Sequence, residues 1–136
     1  MSGVVELGDL LKHMAPSLDP ADYTFCTVQG GVADYVQLDP LCTFVEAEGL
    51  TLILTVASAE QAQLQFEGTY KRIALTVHSS LDAVGLTAAV SAKLTAAGIS
   101  ANVVAAYYHD HVFVQSQHAA KAMESLSSLI ESHRQS

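Results

Sequence analysis

Positive charge is scarce in this chain: six Lys and Arg stand against fourteen Asp and Glu in 136 residues, a formal net charge of −8. Phosphate recognition draws most of its free energy from a clustered basic surface, so the balance argues against nucleic acid as a partner. It disfavours an anionic membrane surface for the same reason. Long apolar runs are missing too. The longest, Leu50 to Ala59, is interrupted by Thr51, Thr55 and Ser58 and falls far short of the roughly 20 residues that span a bilayer, so it reads as a buried strand. Met1 to Met14 has neither a basic start nor a continuous apolar stretch, and Glu6 and Asp9 interrupt it, which does not match a secretory signal. Cysteine is limited to Cys26 and Cys42, in apolar strand-like runs without C-x-x-C spacing. Two buried, reduced thiols and a cytoplasmic location are expected.

What is present is hydrophobic: half of the residues are apolar. That content suits one compact domain, or two very small halves sharing a core, with no metal or disulfide needed to hold it and no cofactor expected. Val5, Leu7, Leu10, Leu11, Met14 and Leu18 follow helical spacing, which predicts a helix over Glu6 to Ala15 closed by Pro16 and Pro20. Tyr23 to Val28 reads as a strand ended by Gly30-Gly31. Thr43 to Glu46 and Thr51 to Val56 flank Glu48-Gly49 as a hairpin. A short helical piece, Ala59 to Leu64, leads to a strand from Tyr70 to His78, in which Ile73, Leu75 and Val77 alternate with Arg72, Ala74 and Thr76.

Ser79 to Asp82 has capping-box spacing ahead of a helix striped by Leu86, Val90, Leu94 and Ala97, and Gly98 stands where such a helix stops. Strands from Ile99 to Tyr107 and His111 to Gln115 follow, then a helix over Gln117 to Ser132. From Tyr70 onward the order strand, helix, strand, strand, helix is a ferredoxin-like unit without its final strand. The first half opens on a helix and lacks a first strand. The expected architecture is therefore α+β: two halves, 1–68 and 69–136, fused into one compact unit that shares an antiparallel sheet with helices on one face.

In that topology the end of the Tyr70 to His78 strand lies beside the start of the His111 strand, so His78 and Asp110 become neighbours. The helix start at Ser79 and Ser80 offers unsatisfied N–H groups and a positive dipole end to an anion. Asp110 offers a negative charge to a cation. Together they suit an α-amino acid. Gly85, in what reads as the first helical turn, marks either close approach of a ligand or helix packing against the neighbouring half. The serines also fit simple capping, and Asp110 a tight turn. His109 and His111 project to one side of a strand and Asp110 to the other, so the three cannot chelate one ion without a break in strand geometry. No catalytic residue and no metal ligand is assigned.

The run from Arg72 to Val90 (RIALTVHSSLDAVGLTAAV), followed by Gly98 to Val114 (GISANVVAAYYHDHVFV), resembles the ACT-domain family. It is similar to a branch of small bacterial proteins with two fused ACT-like halves, and to the ACT repeats of the cellular arginine sensor. Phe44 to Leu54 resembles the hairpin of a first half. The resemblance implies binding of amino acids or other small effectors at helix-start loops and sheet edges, often between two ACT units. By position, Ser80, Leu81, Gly85 and Leu86 would line the ligand loop, facing Tyr107 and Asp110. His78, His109 and His111 are not part of the general pattern.

The expected function is a stand-alone, non-catalytic regulatory module that binds a small molecule, an amino acid above all, and works as a homodimer. Its candidate ligand residues are His78, Ser79, Ser80, Leu81, Gly85, Leu86, Tyr107, His109 and Asp110. Two rivals stay open. One is an enzyme using His78, His109 or His111 as a general base or metal ligand. The other is a ligand-free interaction module using a sheet face or edge strand.

Overall fold

The fold is that of a computed structural model, which describes residues 6–77 and 84–135. Helix α1 (Leu7–His13) is followed by strand β1 (Pro16–Val28), a 3₁₀ stretch (Val32–Leu38), β2 (Cys42–Glu46), β3 (Gly49–Thr55), α2 (Val56–Gln61) and β4 (Tyr70–Leu75). Helix α3 (Leu86–Ala96), β5 (Asn102–Ala105), β6 (Asp110–Gln115), a single 3₁₀ turn (Ser116–His118) and α4 (Ala119–Arg134) complete it. The hydrogen-bonded strand order is β2-β3-β1-β4-β6-β5, and the β1–β3, β2–β3 and β5–β6 pairs are antiparallel. The class is α+β, and β4 lies next to β6 as the strand-helix-strand-strand order requires.

Two compact units emerge from the contacts: Met1–Asp19 with Lys71–Ser136, and Pro20–Tyr70. In the first unit α1 packs with α3 and α4. In the first unit Ile73, Leu75, Val112 and Val114 share a buried cluster with Leu10, Leu11 and Met14 of the α1 segment, Leu86, Val90 and Leu94 of α3, and Ala122, Leu126 and Ile130 of α4. Each fully buried aliphatic side chain contributes about 1.5–3 kcal/mol by leaving water. Arg134 reinforces the packing, its Nε donating to the Lys12 carbonyl at 2.9 Å. In the second unit Cys26, Leu50, Leu52, Leu54 and Ala59 form the core, and Tyr35, Leu38, Leu64 and Phe66 pack against it.

Several expected boundaries move. Pro16 and Pro20 do not close a helix; they lie in β1. Pro16 is the first residue of the strand, and Pro20 precedes the ladder to β3, which begins at the Tyr23–Thr55 pair, so neither missing N–H breaks that ladder. Helix α2 starts at Val56 instead of Ala59, because the Thr55 hydroxyl accepts the Ser58 N–H at 3.2 Å and caps it. Strand β5 is shorter than Ile99 to Tyr107, and α4 runs two residues later than expected at both ends. Gly98 stops α3 as predicted. Its φ of +77° lets its own N–H reach Thr95 at 2.9 Å and the Ile99 N–H reach Leu94 at 2.9 Å, the paired bonds of a Schellman motif. Cys26 is buried, and burial pushes its thiol up, whereas Cys42 is only half-buried.

Leu126→Ala should lower stability by about 2–5 kcal/mol through lost burial and a residual cavity. Gly98→Ala should lower it by about 1–2 kcal/mol through its left-handed backbone alone, because nothing lies within 4 Å of a Cβ built there. Urea denaturation of both variants checks the order; equal effects would contradict this reading of the core.

Candidate functional site

The end of the first unit where β4 finishes and β6 begins holds what can be seen of the expected site. Four residues, 106–109, connect β5 to β6, closed by Ala106 N–H donating to the His109 carbonyl at 3.1 Å and by the Ala105–Asp110 pair. The His109 Nδ1 lies 3.3 Å from the carbonyl of Val77, just past the end of β4, so the topology does bring this turn to the strand end that precedes His78. Tyr107 and Tyr108 are exposed and meet edge to face, ring centroids 5.0 Å apart. The Tyr108 ring in turn lies 6.5 Å from that of His109.

Asp110 is half-buried. Burial lifts its carboxyl above the ordinary range, opposed by the nearby charges of His111 and His109. Alternation along β6 puts Asp110 on the side of Val112 and Val114, which face the helices, and His111 on the other side with Phe113. Among the described residues the His111 Nδ1 is buried without a hydrogen-bond partner. Its ring is held below the usual imidazole range by burial first, then by Arg72 and His109, with Asp110 opposing. Arg72 is itself fixed to Asp19 by an ion pair of 2.7 Å. Sequence reasoning missed this Asp19–Arg72–His111 grouping, since nothing in the local pattern links residues on β1, β4 and β6.

Gly85 is not in the first turn of a helix but caps α3, with φ +101°. A Cβ there would come within 3.1 Å of the Leu7 side chain. The close approach at Gly85 is therefore helix packing against α1, together with a backbone that disfavours other residues. Leu86 is buried in the core that also holds Val112. His78, Ser79, Ser80, Leu81 and the capping box to Asp82 lie outside the described residues; the described helix begins only at Leu86. Among the described residues no three His, Cys, Asp or Glu side chains gather as metal ligands. Nor is any described helix long and apolar enough to cross a membrane.

An ACT-domain family model matches residues 2–71, and a second ACT-domain model matches residues 68–128. The chain belongs to the ACT-domain family. Membership puts it among small-molecule-binding regulatory modules. A Vibrio cholerae protein of unknown function, described as a possible transport protein, is 51% identical, with a TM-score of 0.85 over 91% of this chain and 95% of that one. An Agrobacterium tumefaciens protein shares the fold at 16% identity, TM-score 0.68, covering 86% and 89% of the two chains. The regulatory subunit of Thermus thermophilus aspartate kinase, in its ligand-free form, shares it at 12% identity, TM-score 0.58, covering 84% and 95%. No match is found among curated proteins.

The two shifted groups act in opposite directions on stability. A histidine whose folded pKa is depressed contributes fully above its ordinary value of about 6.5, and that contribution is lost as pH falls toward the folded value. A carboxyl whose folded pKa is raised contributes only at acid pH, so ionised Asp110 costs stability at neutrality. Stability should therefore decline as pH falls from about 7 to about 5.5, and the decline should be shallower in His111→Gln. Urea midpoints across that range check it; parallel curves for the two proteins would remove His111 from the account.

Proposed function

We propose that this ACT protein is a non-catalytic sensor of an α-amino acid, bound where β4 hands over to α3 and β6 begins. The observation that carries the reading is Asp110: a half-buried carboxylate, raised by burial, with no hydrogen-bond donor to it among the described residues. Such a group is unfavourable to keep ionised and available to a cation. A ligand ammonium supplies the missing partner, and backbone N–H groups between Ser80 and Leu86 take the ligand carboxylate. His78, Ser79, Leu81, Gly85, Tyr107 and His109 complete the surround. A cytoplasmic setting fits two reduced thiols and a ligand of central metabolism.

The sensor works as a homodimer. Support comes from β2, at one end of the strand order, whose Phe44 and Val45 are 67% and 76% exposed; an apolar edge strand is a ready surface for pairing. The same strand favours the second reading, an interaction module without a ligand. An amino acid that binds the folded state raises the melting temperature, and an interaction module gives no such response.

Asp110→Asn keeps the shape while deleting the charge. It should weaken the amino acid with the largest thermal shift by about 1.5–3 kcal/mol, as expected for a charge-assisted hydrogen bond. Calorimetry on the two proteins checks this; equal affinity would take Asp110 out of the site. Sedimentation at micromolar concentration should give a dimer, and a monomer there would overturn the homodimer.

A further inference from the structure

Charge is divided very unevenly along this chain. Pro20–Tyr70 contains seven Asp and Glu and no Lys, Arg or His at all. All six Lys and Arg, and all six His, belong to the other unit. The second unit therefore carries nearly the whole negative charge of the protein.

That unit also has a cleft of its own. In it the Thr24 hydroxyl donates to the Gly68 carbonyl at 3.0 Å, tying the chain ahead of β4 to β1. Residues 65–67 make no backbone hydrogen bond among the described residues, and a cleft of about 780 Å³ opens between them and β1. Small-molecule sites fall in roughly this size range, about 300–1,000 Å³.

Its lining is specific in character. Phe25, Leu64 and Phe66 form apolar walls, and Thr27, Gln65 and Glu67 add a hydroxyl, an amide and a carboxylate. The Phe25 ring is held edge to face by Tyr70, centroids 5.2 Å apart at 75°. Among the described residues Glu67 is the only charged one in the lining, and Pro20–Tyr70 contains no Lys, Arg or His to neutralise it.

We infer that this cleft is a second ligand site, for an organic cation: a protonated amine on an apolar or aromatic body. The body lies against Phe25 and Phe66, where ring faces also attract a cation, and the ammonium meets Glu67. The surrounding negative field raises the local concentration of cations and repels carboxylates and phosphates. The site is thus opposite in selectivity to the zwitterion site proposed above and independent of it.

The test uses the full chain and two probes of one shape and opposite charge, 2-phenylethylammonium and 3-phenylpropionate, followed by amide chemical shifts to about 10 mM. The amine should move the signals of Thr27 and residues 64–67, and the carboxylate should leave them in place. Glu67→Gln, an exposed and fold-neutral change, should weaken the amine about fivefold, the upper range of a solvent-exposed pair. Gln65→Lys, which puts a cation at the mouth, should abolish binding. Equal response to both probes, shifts confined to residues 85–110, no response to the amine, or unchanged affinity in either variant would overturn the proposal.

Discussion

One apolar sheet face governs the larger unit. Ile73 and Leu75 on β4, with Val112 and Val114 on β6, present four aliphatic side chains that must be removed from water. Helices α3 and α4 do part of this, and α1 does the rest from the far end of the chain. The contribution of α1 has consequences at the candidate site. Its Leu7 takes up the open side of Gly85, and so helps set where α3 begins. The Ala15 carbonyl just after it receives both the backbone and the hydroxyl of Thr76, and so positions the chain that leaves β4. The end of the sheet that carries His109 and Asp110 is held by packing from three helices, which is what a preorganised site on rigid elements requires.

The groups at that end are not arranged for stability. Asp110 and His111 are neighbours in sequence on opposite faces of one strand, and burial disfavours the charged form of each. Ordinary folding pressure replaces such residues with apolar or neutral ones; their presence marks the positions where sequence preference and packing disagree, and functional positions are where that disagreement is expected. The charge of the two units points the same way. The unit that contains Asp110 is close to balanced, whereas Pro20–Tyr70 is uniformly acidic.

Much of the fold is legible from periodicity. The stripes of α1 and α3 and the alternation of β4 identify many of the buried side chains, and the strand-helix-strand-strand order places β4 beside β6. Local breakers were less dependable. Proline reads as a stop signal, yet Pro16 and Pro20 sit at the one part of β1 that does not pair with β3. The 3₁₀ stretch at Val32–Leu38 carries no helical or strand period, although Val32, Tyr35 and Leu38 recur at three-residue spacing, the repeat of that helix. The partnership of α1 with α3 and α4 could not be read locally, because contacts between residues so far apart in sequence leave no local pattern. Of the candidate site, the approach of His109 to the end of β4 followed from topology alone. The surroundings of Gly85 did not: spacing left ligand approach and packing equal, and the nearness of Leu7 is visible only in the fold.

The amino-acid site proposed above lies at the end of the sheet where α3 and β6 start. The most direct measurement is a backbone amide chemical-shift map of the isotopically labelled chain titrated with each natural L-amino acid. Saturable shifts are expected for one amino acid or a small chemical group of them, concentrated at Gly85, Leu86, Tyr107, His109 and Asp110. Shifts for none of them, or shifts that leave those residues untouched, would contradict it.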